Sequence, residues 1–536
     1  MSTLAKHNSI SARIRGVLID IALLLISALF FALAFPSFLS VKGWAPLAYI
    51  AIAPAFIVVH RTSWIGSFLL GWLYGLVSYA IFNYWLAIFH PLAIFIVPLI
   101  YSAYFFILFP LLKLADRLFP RYGYLVQVLL WMGYELLRTK GFLGYPYGNL
   151  GYSQYGFLPL IQLASVFGMW GVSLLVIFPS AWLGNALKQL SLKGCTDFLK
   201  QHRTEIFGWA AVMILALGVG FAAMRSYDEE RQWKVALVQQ NEDPWRSSVE
   251  AYRDALETLI RLSNEALKED PEIVVWSETA FVPRIQWHDR YRTSRPHYEL
   301  VRELLDYLAA QDVPFVVGND HAENGAEPGE PLDPVDYNAA ILFEGGEIQD
   351  IYKKTHLVPF TEHFPYENTL PGMHRLLIEA DTHFWAKGEE YTVFESGGVR
   401  FSTPICFEDV FGYLSREFVL RGSQVIVNMT NDSWSGSVAA QVQHAAMAVF
   451  RAVENRRSVV RSTNGGMTWI IDPDGRITAE LAPFIDDVLV GEVPVYDGRT
   501  TLYTRFGDWF AWLLLFSGIL ALAAGSVFRI LRIIDK

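Results

Sequence analysis

Eight long apolar runs punctuate the chain, seven of them within the first 223 residues and the eighth, Trp509 to Ile530, close to its end. A bilayer core about 30 Å thick is crossed by a helix of roughly 20 mostly apolar residues. Because lipid offers backbone groups no hydrogen-bond partners, repeated runs of that kind leave a helical bundle as the architecture open to this part of the chain. The other seven runs are Val17 to Phe35, Trp44 to Val59, Gly66 to Phe89, Leu92 to Leu114, Phe119 to Leu137, Leu158 to Leu187 and Phe207 to Ala223. The fifth is interrupted by Gln127 and Glu135, and the sixth is long enough to kink at Pro179 or to begin with an interfacial stretch. The first has a basic start and an Ala32-Leu33-Ala34 site, as a cleaved signal peptide would, but its apolar run is longer than such leaders carry.

Charge divides the chain in the same place. Residues 1–227 carry a net charge of +10, whereas residues 228–507 carry −21. The acidic segment excludes nucleic acid as a partner, since phosphates are repelled. With a cytoplasmic N-terminus, fourteen Lys and Arg residues at span ends and tails fall inside, and only Lys42, Arg138 and Lys140 fall in short outer loops. By the positive-inside rule both termini are then cytoplasmic and residues 224–508 face outward. The expected organisation is a transmembrane domain of seven spans over residues 1–227, an extracytoplasmic water-soluble domain over 228–507, and a final span with a cytoplasmic tail over 508–536.

The chain has two cysteines, Cys195 and Cys406. The predicted topology puts them on opposite sides of the membrane, so they cannot pair, and Cys406 is left as a free thiol in an oxidising compartment. There is no CxxC pair, no zinc-spaced His/Cys cluster and no glycine-rich phosphate loop, so neither a metal nor an organic cofactor is expected.

Residues 228–507 alternate strand-like and helix-like patterns. Short apolar runs predict strands at Val235 to Val238, Ile273 to Trp276, Phe315 to Val317, Ala339 to Phe343, Phe401 to Ile405, Val425 to Met429, Val459 to Arg461 and Trp469 to Ile471. Helical periodicity covers Val249 to Leu267, Tyr298 to Ala310 and Ala439 to Asn455. Gly345-Gly346 and Asp472 to Gly475 read as hairpin turns, and Glu323 to Pro334 as a loop. This alternation predicts a layered α/β domain.

Three polar residues flank those strands: Glu278 after Ile-Val-Val-Trp-Ser, Lys354 before Thr-His-Leu-Val-Pro-Phe, and Cys406 after Phe-Ser-Thr-Pro-Ile. Taken singly, each has an ordinary reading: a small buried hydrophobe, a capping carboxylate, a solvated lysine. Together they hold the parts of acyl transfer. A thiol becomes a nucleophile as its thiolate, a carboxylate takes and returns its proton, and an ammonium favours the thiolate and a substrate oxyanion.

The surrounding motifs resemble those of the carbon–nitrogen hydrolase (nitrilase) superfamily. Lys354-Thr355-His356-Leu357-Val358-Pro359-Phe360-Thr361-Glu362 is similar to its lysine motif and Pro404-Ile405-Cys406-Phe407-Glu408 to its nucleophile motif; Asn431 to Trp434, Gln443-His444 and Arg461 to Gly465 also match. The resemblance implies an α-β-β-α sandwich with Cys406 as nucleophile, Glu278 as general base and Lys354 as oxyanion stabiliser. It also implies that Glu362 and Glu408 orient the site and that Asn338 supports the pocket. Thr361 stands where the superfamily usually has Gly, and Phe407 where Tyr is common.

Such a domain set between apolar runs is similar to the apolipoprotein N-acyltransferases. Gly151-Tyr152-Ser153-Gln154 and Thr501 to Trp509 share in that likeness. The family implies a multi-pass protein of the bacterial inner membrane with a periplasmic catalytic domain. Cys406 would take an acyl chain from a membrane phospholipid as a thioester and pass it to the α-amino group of the S-diacylglyceryl cysteine of a diacylated apolipoprotein. The alternatives are a membrane-tethered amidase with water as acceptor, and a transporter or lipid-binding scaffold with an inactive lobe, which charges lining a path through the spans (Asp20 and Glu135 are the candidates) would favour.

Overall fold

A computed structural model describes residues 3–89, 93–188, 202–328, 330–379, 382–498 and 500–534. Cys195, the basic residues Lys193, Lys200 and Lys536, and the first residue of the fourth apolar run, Leu92, lie outside them. The chain divides into two compact units, Met1–Met224 with Asp508–Lys536, and Arg225–Gly507.

Among the described residues of the first unit six helices are long and apolar enough to cross a membrane: Arg13–Ala34, Trp64–Phe82, Ala93–Leu118, Met169–Leu187, Arg203–Ala223 and Trp509–Arg532. Two of the eight expected runs are shorter. Trp44 to Val59 breaks into a 3-10 turn, Ala45–Leu47, and the helices Ala48–Ala51 and Ala53–Arg61. Pro46 and Pro54 sit in first turns, where the missing N–H is harmless but a continuous helix could not run through. The fifth run forms a helix of 16 residues, Gly123–Arg138, about 24 Å long at 1.5 Å per residue and so shorter than a bilayer core. The sixth run is interrupted at Gly168, φ 64°, which separates two short helices from the Met169–Lys188 helix.

Small residues let two of these helices meet closely. A Cβ on Gly71 would lie 2.5 Å from the Phe105 carbonyl oxygen, and one on Gly75 would lie 2.8 Å from the Ser102 Cα, the small-xxx-small packing of membrane helices. The buried charges are all engaged. Asp20 pairs with Arg61 at 2.7 Å. Glu135 accepts from the Leu150 N–H at 3.0 Å and the Ser173 hydroxyl at 2.8 Å. Arg138, fully buried, donates to the carbonyls of Tyr145 and Tyr147 and to the Asn149 side chain. Asp20 and Glu135 thus serve internal ties, which removes the observation that would have favoured a transporter.

Among its described residues the second unit contains twelve strands in two six-stranded sheets. They are β1 (Arg231–Gln239), β2 (Ile273–Val275), β3 (Phe315–Asn324), β4 (Pro334–Glu344), β5 (Glu347–Lys353), β6 (Val393–Ser396), β7 (Val399–Ser402), β8 (Val425–Thr430), β9 (Ser458–Thr463), β10 (Trp469–Ile471), β11 (Ile477–Glu480) and β12 (Asp487–Val495). Their orders are β12-β1-β2-β3-β4-β5 and β11-β10-β9-β8-β7-β6. Each sheet has three parallel central strands, β1-β2-β3 and β7-β8-β9, flanked by antiparallel ones. The two-residue side-chain period sorts the faces. Val235 and Leu237 of β1 join Phe401, Val425 and Val427 of the other sheet in the central core, while Ala236 and Val238 pack outward with Leu256, Leu259 and Leu262 of the Val249–Ala266 helix. Ser248 caps that helix, accepting from the Ala251 N–H at 3.1 Å. The Val438–Asn455 helix, buried from Ala439 to its end, lies on the second sheet. The result is an α-β-β-α sandwich. Glu323, Asn324 and Pro334, expected in a loop, belong to β3 and β4, which confines the loop to the residues between them.

Candidate active site

The parallel strands β2 and β7 and the outer strand β5 deliver the reactive residues just beyond their carboxyl ends, where an α/β sheet leaves its crevice. Glu278 follows β2, and Thr279 turns the chain at φ 45°. Gly318 on β3 makes that passage possible, because a Cβ there would sit 2.0 Å from the Ser277 carbonyl oxygen. Lys354 follows β5, held by its N–H donating to the Asn338 carbonyl at 2.8 Å. Cys406 follows β7 at φ 51° and opens a 3-10 turn, Cys406–Val410. A non-glycine residue in the left-handed region is strained by about 1–3 kcal/mol, and such strain gathers at functional sites. Cys406 is half-buried and is the free cysteine among the described residues.

Lys354, with no exposed surface, links two carboxylates: its Nζ is 3.1 Å from Glu278 Oε1 and 2.8 Å from Glu362 Oε1. Asn338 Nδ2 donates to Glu278 Oε1 at 2.8 Å, the Asn431 N–H to Glu278 Oε2 at 2.9 Å, and the Val358 N–H to Glu362 Oε2 at 2.9 Å. Thr361 does not displace Glu362: the positive φ falls on Phe360 instead, at 66°. Phe407 packs on Phe411, ring centroids 5.1 Å apart.

Glu408 has a different place. It is fully buried and gathers five donors. The Tyr352 hydroxyl lies 2.8 Å from both carboxylate oxygens, the Thr355 N–H and hydroxyl reach Oε1 at 2.8 and 2.9 Å, the His356 N–H at 2.9 Å, and the Ile405 N–H reaches Oε2 at 2.7 Å. It therefore ties the lysine loop to the residue just before Cys406. Of the six residues singled out in the sequence, Glu278, Lys354, Glu362 and Asn338 form one hydrogen-bonded cluster; Cys406 interacts electrostatically with Glu278, Lys354 and Glu362, and Glu408 braces its turn.

Burial pushes the Cys406 thiol well above its ordinary range, Glu278 adds to the rise, and Lys354 opposes it, so the resting group is a thiol. Burial alone would lower the Lys354 ammonium, but Glu278 and Glu362 outweigh it and hold it well above the usual lysine range. Desolvation raises the Glu362 carboxyl against the pull of Lys354. The site thus keeps a fixed cation beside a neutral thiol, with a carboxylate on that cation. Such a set takes a proton from sulfur during attack and screens the developing charge on a carbonyl oxygen. Among the described residues there is no cluster of three metal-ligating side chains.

A second buried network had no assigned role in the sequence, although His444, Asp432 and Arg461 stand in the motifs quoted above and Asp409 directly follows another. His444 lies between Asp432 (Nδ1–Oδ1 2.9 Å) and Asp409 (Nε2–Oδ1 2.8 Å), and Arg461 pairs with both, at 3.2 Å from Asp432. Desolvation works against the imidazolium, but the two carboxylates overcome it and raise His444 to about 9. Asp409 belongs to the Cys406–Val410 turn, so this network anchors the far end of what Glu408 braces. Tyr352 and the Asn431 backbone were also silent in the sequence, because nothing in a local motif says which distant donor will reach a carboxylate.

The carbon-nitrogen hydrolase family model matches residues 234–502, and that of the apolipoprotein N-acyltransferase N-terminal domain matches residues 27–182. Apolipoprotein N-acyltransferase 1 of Treponema denticola is 42% identical over 509 residues, covering 92% of this chain and 93% of that protein. Apolipoprotein N-acyltransferase 1 of Treponema pallidum is 43% identical over 535 residues, covering 97% of each. The apolipoprotein N-acyltransferase of Geobacter metallireducens is 32% identical over 507 residues, 92% of each. Both parts of the chain are thus matched, its apolar helices make it a membrane protein, and the chain belongs to the apolipoprotein N-acyltransferase family of acyltransferases.

Proposed function

We propose that this enzyme moves an acyl chain from a membrane phospholipid to the N-terminal amine of a diacylated apolipoprotein through a thioester on Cys406. The observation that carries the reading is the buried Glu278–Lys354–Glu362 cluster beside a strained Cys406. Glu278 takes the thiol proton as Sγ attacks the ester carbonyl, and Lys354 balances the oxyanion. The Sγ–C bond forms, the C–O bond to glycerol breaks, and Glu278 returns the proton to the departing oxygen of the lysophospholipid. In the second half the acceptor's amine, as its free base, attacks the thioester carbonyl. The C–N bond forms, the C–S bond breaks, and Glu278 carries the amine proton back to sulfur. Glu362 holds Lys354 in place, Glu408 sets the backbone of the nucleophile turn, and Asn338 orients Glu278. All eight apolar runs enter the bilayer in this reading, the two short ones as incomplete crossings within the bundle, with both termini cytoplasmic and the catalytic unit on the periplasmic side of a bacterial inner membrane.

The test uses purified enzyme in phospholipid micelles. Mass analysis of the Cys406 peptide is expected to show a fatty acyl adduct that Cys406→Ser lacks, and a diacylated lipopeptide is expected to discharge it as a triacylated product. Loss of the adduct to water as fast as to the lipopeptide would favour an amidase instead. Lysophospholipid release unchanged by Cys406→Ser would overturn the mechanism.

A further inference from the structure

Beside Glu278, within the catalytic unit, an open cleft is lined by Gln240, Glu242, Asp243, Thr279, Asn431 and Asn464 among others. It is joined to the catalytic carboxylate by hydrogen bonds. Asn464, 2% exposed, accepts from the Glu242 N–H at 2.9 Å and donates to the Glu242 carbonyl at 2.7 Å and to Asn431 Oδ1 at 3.1 Å. The Asn431 N–H in turn donates to Glu278. Asn241, at φ 54°, turns the chain so that Glu242 and Asp243 reach the rim.

Two features say what the cleft accepts. Gln240 is 4% exposed, and its Oε1 accepts from the Ser277 hydroxyl at 3.0 Å, while no hydrogen bond from its amide N–H groups is found among the described residues. That amide opens onto the cleft, where a ligand carbonyl can accept its N–H groups. The rim is anionic: Glu242 and Asp243 face one cation, Arg246, which is itself 3.2 Å from Asp254. A phosphate is repelled here and a cation drawn in.

The proposed chemistry supplies a substrate with both features. In the second half-reaction the attacking amine gives its proton to Glu278, so the chain bearing that amine lies on Glu278's side of the thioester. We infer that this cleft is the acceptor subsite: it takes the N-terminal end of the acceptor polypeptide, with Glu242 attracting the ammonium, which gives one proton to solvent to become the attacking free base, and Gln240 donating to a peptide carbonyl. The inference rests on the acyl-transfer reading and adds the place of its second substrate.

Full-length enzyme in micelles of bacterial phospholipid, with a synthetic S-diacylglyceryl-cysteinyl tetrapeptide as acceptor, separates the two halves. The lysophospholipid burst reads the first, and the lipopeptide KM reads the second. For Glu242→Gln the KM is expected to rise about five- to tenfold, the loss of one charged partner, and further for Glu242→Lys, with the burst within about twofold of wild type. That burst also certifies the fold of each variant, and Gln240→Leu is expected to raise the KM in the same way. An unchanged acceptor KM in both Glu242 variants overturns the inference, as does a reduced burst with unchanged acceptor KM, which assigns the cleft to the phospholipid headgroup. A wild-type enzyme without any burst would instead strike down the underlying acyl-transfer reading.

Discussion

Replacing Glu408 with Gln tests the separation between chemistry and bracing. The substitution keeps the shape of the side chain but turns one acceptor oxygen into a donor. Glu408 Oε1 faces the Thr355 and His356 N–H groups, so the carbonyl oxygen of the introduced amide is best kept there, and the new NH2 then meets the Ile405 N–H, now 2.7 Å from Oε2. A buried N–H left without an acceptor costs about 1–3 kcal/mol, and the remaining bonds lose charge assistance worth a further ~1 kcal/mol or more. The sum is on the order of 2–4 kcal/mol, a large part of the ~5–15 kcal/mol that holds a domain folded. The damage falls one residue before Cys406, whose φ of 51° needs its surroundings to hold it. At about 1.4 kcal/mol per factor of ten, release of ~1.5–3 kcal/mol of strain lowers the population of the competent turn roughly 10- to 100-fold. In single-turnover assays the lysophospholipid burst rate is expected to fall by that factor, and the unfolding midpoint of the variant in micelles to drop by roughly 5–10 °C. The pH at which the burst rate is half-maximal is expected to stay in place, since Glu408 exchanges no proton with sulfur. A variant within twofold of wild type in burst rate and within about 1 °C in midpoint would refute the bracing argument.

Glu362→Gln, which keeps one oxygen for Lys354, is expected to slow the burst about tenfold, and Glu362→Ala about 100-fold or more, since the alanine leaves the Lys354 cation with one carboxylate; the reverse order in burst rates would contradict the assigned geometry. His444 is raised to about 9 between its aspartates, so the stability it adds is fully present below its unfolded value near 6.5 and is lost as pH rises through 9, amounting to at most about 3 kcal/mol. Denaturation midpoints of wild type are therefore expected to fall between pH 6.5 and 9, and those of His444→Gln to be lower at pH 6.5 and flatter across that window. In the first unit, Arg138→Met strips the carbonyls of Tyr145 and Tyr147 of their buried donor, and a loss of about 3–5 kcal/mol is expected as increased protease sensitivity of the Tyr145–Asn149 loop in detergent.

The legible parts of this fold were those whose physics is local. Apolar runs announced the helices, and short Val- and Ile-rich stretches announced the strands β1 to β4 and β7 to β10, because a strand buried on both faces reads as an unbroken apolar run; β7 ends at Ser402 rather than running on to Ile405. β5, Glu-Ile-Gln-Asp-Ile-Tyr-Lys, was silent because this outer strand carries four polar residues and shows neither an apolar run nor a clean alternation. β12 holds Gly491 and Pro494, which argue against a strand when read alone; Pro494 is tolerated in the outermost position of its sheet. In the site, residue types and local motifs pointed to Glu278, Lys354 and Cys406. That Asn431 reaches Glu278 across 153 residues, or Tyr352 reaches Glu408, depends on how two sheets face each other. Span length was the poorest reading, since prolines at 46 and 54 subdivide a run that hydropathy alone treats as continuous.

The pairing of β1 with β12, Arg231 against Val495 through Gln239 against Asp487, has a kinetic consequence. A ribosome adding about 5–20 residues per second needs roughly 10–50 s between finishing one of these strands and finishing the other. For that interval β1 presents an unpaired edge of backbone donors and acceptors, the kind of edge that recruits foreign strands. The outermost position in its sheet is filled last, and the sandwich that carries Cys406 is completed only when nearly all of its sequence has been made. Catalytic competence and protection from aggregation therefore arrive in the same late folding step.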